Sequence, residues 1–160
     1  MALTVRPLTA ADLPALHALE AEAYSESLLV PDEALLRLIA LFPDGAIGAF
    51  DDEGLCGFIF GLPLKAGMTL ELQAALDAIP LDADVFYIHD IAVATRCRGC
   101  GLGRQLAARA IEIGRARGFT RAELVSVQGS APFWARFGFR AVREFEYAPG
   151  APAVRMAAEI

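Results

Sequence analysis

The chain has 160 residues, 56% of them hydrophobic, and a formal net charge of -6 at pH 7, which suits a protein with one sizeable core and excludes a disordered or fibrous chain. An acidic balance opposes nucleic-acid binding, which needs a broad basic surface, and no stretch approaches the roughly 18 uninterrupted apolar residues of a membrane-spanning helix. Three cysteines and no leader-like N-terminal run predict reduced thiols in a soluble, cytoplasmic protein, folded as a single domain over residues 1–160.

Taken in chain order, strand and helix signals alternate without repeats or low-complexity linkers. "LTVRPL" reads as a short strand. Thr9 and Asp12 then have the spacing of a capping pair, ahead of a helix that places Leu13, Leu16, Leu19 and Ala23 on one face. Asp32, following Pro31, is positioned to cap a second helix running through Leu41. "GAIGAF", the turn "DDEG" and "LCGFIFGL" predict a hairpin. A short helix is expected from about Thr69, bracketed by Gly67 and Pro80. "VFYIHDIAV" is apolar without clean alternation, as a central strand covered on both faces would be. A helix from Gly101 to Gly118, a strand "AELVSV", a helix "SAPFWARF" and the closing strands "FRAVREFEY" and "AVRMAAE" complete an α/β (α+β) domain around one sheet.

Charge is distributed unevenly along this order. Residues 1–90 hold three basic side chains, Arg6, Arg37 and Lys65, against fifteen acids, whereas residues 95–121 hold seven arginines and one acid, Glu112. An arginine-dense segment in an acidic protein suits either a small polyphosphorylated ligand or the solvated face of a helix.

The stretch "RCRGCGLGRQLAARA" favours the ligand. Gly99, Gly101 and Gly103 crowd the start of a strongly helical run, although glycine is a poor helix former. Such a turn leaves several backbone N–H groups converging at the positive end of a helix dipole, which attracts anions. A nucleoside-triphosphatase loop requires Gly-Lys-Ser/Thr, and the only lysine, Lys65, is remote. A dinucleotide fingerprint requires a glycine where Arg104 stands. Arg98-x-x-Gly101-x-Gly103 remains.

With "YIHDIAV" before it and "SAPFWARFGF" after it, this segment resembles the GNAT superfamily of acyl-CoA-dependent N-acyltransferases (N-acetyltransferases), and the order of elements does so over nearly the whole chain. The resemblance implies a central mixed, mostly antiparallel sheet flanked by helices and splayed between the strands 85–93 and 122–127. It implies acetyl-CoA as cofactor. The backbone amides of Arg98, Gly99, Cys100, Gly101, Leu102, Gly103 and Arg104 would bind the pyrophosphate, with charge added by arginines such as Arg96, Arg98 and Arg104. The backbone of Ile91, Ala92 and Val93 would pair with the pantetheine arm like an added strand. Ser130, Phe133 and Trp134 would line its other side.

The reaction so implied is direct transfer of an acetyl group to a primary amine of a small molecule or peptide, which requires a base. His89 and Asp90 lie beside the pantetheine positions; in a regular strand they face opposite sides, so only one serves, and a bulge would change which. Trp134 stands where many members carry a tyrosine that protonates the departing sulfur, and Ser130, Tyr87, Tyr24 and Tyr147 are possible substitutes. Ser25 to Pro31 and the Lys65 to Ala83 connection are expected on the acceptor side, where the acidic surplus suits a cationic amine. No nucleic-acid or membrane partner is expected, and a homodimer is in keeping with the resemblance.

Two other readings remain open. A noncatalytic acyl-CoA sensor would keep the loop and dispense with acid and base. Cys97 and Cys100 form a C-x-x-C at a helix N-terminus, a redox-like arrangement that lowers thiol pKa. It makes only half of a zinc site, since Cys56, His17 and His89 are not at ligand spacing, so no metal is expected.

Overall fold

A computed structural model describes residues 2–160. In chain order it contains β1 (Thr4–Pro7), α1 (Leu13–Ala23), α2 (Asp32–Leu41), β2 (Ala46–Asp51), β3 (Gly54–Leu64), β4 (Val85–Val93), α3 (Leu102–Ala116), β5 (Arg121–Val127), α4 (Ala131–Ala135), β6 (Arg140–Ala148) and β7 (Ala151–Glu159). The strands form a seven-stranded sheet in the order β1-β2-β3-β4-β5-β7-β6. Every neighbouring pair is antiparallel except β4 and β5.

The near-uniform apolar sequence of β3 and β4 follows from burial on both faces. A Cβ at Gly57 would lie 3.2 Å from Leu102 and from Leu106, so Gly57, Ile59 and Gly61 face α3. Phe58, Phe60 and Leu62 face the opposite layer and are fully buried. The α3 stripe of Leu102, Leu106, Ala110 and Ile111 is buried against the sheet, which anchors the helix behind its first turn.

Helix starts follow local chemistry, with one departure. The Thr9 N–H donates to Asp12 Oδ2 at 2.8 Å, as the capping spacing predicts, and Arg6 grips the same carboxylate with two bonds of 2.9 Å. Asp32, by contrast, is not a cap. It is the first residue of α2, and Pro31 takes the cap position with φ of -61°. The Pro31 carbonyl accepts from Ala34 and Leu35, which puts Asp32 inside the helix, where its charge meets the dipole.

The helix expected near Thr69 does not form. The carbonyls of Met68, Leu70, Leu76 and Asp77 accept instead from Arg155, Tyr147 and, for the last two, Arg37. Those side chains hold the connection as an irregular cover. A short helix, costly to nucleate, offers too little to displace them.

Two irregularities shape the centre of the sheet. The β3–β4 register shifts between Phe60 and Gly61, whose partners are Asp90 and Ile88, so His89 is the extra residue of a β-bulge. Parallel pairing of β4 with β5 is confined to Phe86–Ile88 against Ala122–Leu124, after which the strands diverge. The sheet therefore opens in the expected V beside residues 89–93.

Candidate active site

The bulge settles which way His89 and Asp90 point. Asp90 pairs with Phe60 and so faces the layer opposite α3. The His89 ring stacks on Tyr87 at 6.2 Å, and both His89 and Asp90 line one cavity of about 50 Å³. The regular-strand expectation of opposite faces is thereby overturned, because one inserted residue breaks the two-residue period. Further lining comes from Tyr24, Trp134, Ser130 and Tyr147, with Leu28, Val30 and Leu72 supplying apolar wall from the two connections assigned to the acceptor side. Asp90 is the one acid on that wall, so the surplus of acids in the first 90 residues does not itself line the inner cavity.

Three buried polar atoms in this region have no protein partner: His89 Nδ1, Asp90 Oδ2 and Glu20 Oε1. Orphaned groups of this kind cost free energy and mark functional sites more often than packing accidents. Glu20, on α1, is only 2% exposed, and its other oxygen accepts from the Val30 N–H at 3.2 Å. Burial, with Asp90 close by, pushes the Glu20 carboxyl far above the usual carboxylate range. Burial pushes His89 down from the ordinary imidazole value, against the opposing pull of Asp90, so its ring is neutral at pH 7. Tyr24 is held well above an ordinary phenol, chiefly by burial, and its hydroxyl donates to the Ile91 carbonyl.

A second space adjoins the first. It is a groove of about 340 Å³ between the diverging strands, walled by Ile91, Ala92 and Val93 on one side and by Ser130, Phe133 and Trp134 on the other. Arg98 and Gly103 lie at its outer end, and Tyr24, Ile91, Ser130 and Trp134 border both spaces. The Tyr24 and Arg98 side chains donate to the carbonyls of Ile91 and Val93, so those groups point to the open edge of β4. Gln128 bridges the groove mouth, accepting from the Ser25 N–H and donating to the Ala23 carbonyl, each at 3.0 Å.

At the outer end the chain makes the turn the sequence required. Gly99 and Gly101 have φ of +85° and +81°, and a Cβ at either would project into open space. Gly101 caps α3 in the left-handed conformation, and the first helical bond, from the Gln105 N–H to the Gly101 carbonyl, measures 3.1 Å. Among the described residues, no protein acceptor engages the amides from Gly99 to Arg104. Free amides at a helix start next to a groove fit the diphosphate and pantetheine parts of coenzyme A. Arg98 stands beside that path, but Arg96 does not serve it: its guanidinium holds Asp51 at 2.6 and 3.0 Å and Glu53 at 3.0 Å. Arg117 and Arg121 are likewise paired, with Asp44 and Glu123.

Two groupings escaped the sequence reading. Glu20 follows Leu16 by four residues, and an acid on an apolar helical stripe was the available signal. Cys56 lies beside Cys97 although 41 positions separate them, so a spacing rule had no access to the pair.

Comparison with known proteins agrees with this architecture. No curated protein matches the chain closely. Among solved structures, the fold is similar to the loading GNATL domain of CurA from Lyngbya majuscula (16% identity, TM-score 0.83, covering 99% of this chain and 98% of that one). It is also similar to a chain of the NatC complex bound to Gag peptide and CoA (17%, 0.78, 100% and 99%). A third is the PaiA N-acetyltransferase from Thermoplasma acidophilum in complex with coenzyme A (19%, 0.71, 100% of both). At these identities the likeness establishes the fold. Residues 13–139 match the acetyltransferase (GNAT) family, and the chain, with its amide-lined loop and splayed sheet, belongs to that family of acyl-CoA-dependent acyltransferases.

Proposed function

We propose that the protein is a single-domain N-acetyltransferase that moves an acetyl group from acetyl-CoA directly to a primary amine. The observation that carries this reading is a continuous path. It runs from the free amides of Gly99–Arg104, along the β4–β5 groove, to a cavity holding His89, Asp90 and Tyr24.

Bound acetyl-CoA supplies an activated thioester carbonyl. The protein supplies proton management and position. His89, neutral at pH 7, accepts the proton of the incoming ammonium, and the neighbouring Asp90 favours the imidazolium that results. Tyr24 stays protonated and borders both spaces, so it replaces the missing tyrosine as donor to the departing sulfur; Trp134, an N–H donor only, forms wall. The orphaned His89 and Asp90 atoms favour catalysis over a sensing role, because a module that only binds cofactor has no use for them.

Thiol release from acetyl-CoA with a panel of primary amines tests the reading. Turnover with at least one amine is expected, while tight binding without turnover throughout would establish the sensor instead. His89→Gln should lower kcat by about 10²–10⁴-fold with little change in acetyl-CoA affinity. Because burial depresses the imidazole, the acid limb of the wild-type kcat/KM profile should fall below the ordinary histidine value of about 6.5.

A further inference from the structure

All three cysteines converge on one cavity, and it lies outside the groove just described. Cys56 of β3 and Cys97, in the turn before the phosphate loop, place their sulfurs within 4.8 Å of each other and of an Asp51 oxygen. Cys100 lines the same cavity of about 420 Å³, as do Arg96 and Gln105. Cys56 is 1% exposed, whereas Cys97 is partly open to solvent. The Cys56 carbonyl accepts from the Ala94 N–H at 2.7 Å, and the Cys97 N–H donates to the Ala94 carbonyl at 2.9 Å, so both backbones are tied to one residue. The Cys100 sulfur donates to the Cys97 carbonyl at 2.8 Å.

The charge around the sulfurs selects among their possible uses. Both Asp51 oxygens are occupied by the Arg96 guanidinium, which would also repel an arriving cation. A metal ion is disfavoured there. Cys97, the sulfur of the pair that is partly open to solvent, is the one an oxidant reaches first.

We propose that Cys56 and Cys97 are an oxidative modification site, closed by peroxide into a disulfide that pulls the start of the coenzyme A loop toward β3. The Cys97 thiolate attacks one peroxide oxygen; the O–O bond breaks, the other oxygen leaves as water after gaining a proton, and Cys97 becomes a sulfenic acid. The Cys56 sulfur then attacks the Cys97 sulfur, the S–O bond breaks, and the Cys56 proton leaves with the hydroxyl as a second water. Two electrons pass from two thiols to one peroxide. Burial pushes the Cys56 thiol up to about 12, which suits the partner that waits for the Cys97 sulfenic acid.

Closure has a structural consequence. A disulfide sulfur–sulfur bond is about 2.05 Å, so Cys97 must move toward β3, and Arg98, the next residue, begins the loop and contacts Val93. The effect on cofactor rests on the acyl-CoA reading above; the disulfide itself does not.

The test treats the reduced, cofactor-free protein with hydrogen peroxide and maps linkages by mass spectrometry without reduction. The expected product is a Cys56–Cys97 bond, retained in Cys100→Ser and absent from Cys56→Ala and Cys97→Ser. In Cys56→Ala, dimedone should trap the Cys97 sulfenic acid. A second arm measures acetyl-CoA, which has no free thiol, by calorimetry: oxidation should weaken binding by about tenfold or more, dithiothreitol should restore it, and Cys56→Ala should be insensitive. A Cys97–Cys100 linkage, three persistently free thiols, or a stoichiometric zinc ion that protects them would overturn the proposal. A mapped Cys56–Cys97 bond with unchanged acetyl-CoA affinity would overturn the control of the loop. Failure of the reduced protein to bind acetyl-CoA would instead strike the functional reading, and the linkage map would stand apart from it.

Discussion

Glu20 is a carboxyl group that the fold keeps protonated. Its folded pKa lies far above the unfolded value of about 4.3, so over the interval between them the native state binds a proton that the unfolded chain has released. The sign follows: its contribution to stability is full below the unfolded pKa and declines as pH rises toward the folded one. Glu20→Gln keeps a donor toward Asp90 and an acceptor for Val30 but has no proton to take up. Thermal denaturation at pH 8 should therefore show the variant more stable than wild type by about 1–2 kcal/mol, with the gap closing near pH 4. Tyr24 has a different function. Tyr24→Phe removes the hydroxyl that borders both spaces, and steady-state kinetics should show a fall in kcat of about 10–10²-fold, relieved when an acyl donor with a more acidic thiol replaces acetyl-CoA.

On the proposed reading, one turn of helix carries the cofactor interaction. The first amides of α3 are free because the glycine turn lets the chain enter the helix from the left-handed region, while Leu102 and Leu106 pin the same turn to β3. Binding and stability are therefore separable here. Gly101→Ala places a Cβ at φ of +81° and into the space in front of the amides. Calorimetry should find acetyl-CoA binding weakened by about tenfold or more, whereas denaturation should register a loss of only about 1–2 kcal/mol, the usual cost of a left-handed alanine. Comparable loss of both would mean that the turn serves folding alone.

At the scale of the molecule, the 65–84 connection is held by a polar hub. Glu123 of β5, 3% exposed, accepts from Arg155 of β7 at 3.1 Å, from Arg121 at 2.8 Å and from the Gly67 N–H at 2.9 Å. Arg155, 5% exposed, also donates to the Met68 carbonyl at 2.9 Å and to the Thr69 hydroxyl. This hub fastens the irregular 65–84 connection over the sheet. Removing the cation leaves a buried carboxylate partly uncompensated, so Arg155→Ala should destabilise the fold by about 3–5 kcal/mol in urea titration. Hydrogen exchange should accelerate first in residues 66–77, because their carbonyl donors come from this hub, Tyr147 and Arg37.

Local chemistry alone determined much of this protein. Alternating and continuous apolar runs marked each strand, the Thr9–Asp12 spacing marked a helix start, and the clustered glycines before Leu102 marked a tight turn into α3, because each rests on interactions within a few residues. The tertiary structure decided whatever depended on distant partners. The 65–84 connection lost its expected helix to donors from α2, β6 and β7. His89 and Asp90 share a face only because β3 sets the register of β4. Arg96 was drawn into ion pairs by acids 43 and 45 positions earlier. Glu20 met Asp90, and Cys56 met Cys97, across separations that no local pattern encodes, since side-chain proximity there is created by packing and not by sequence order.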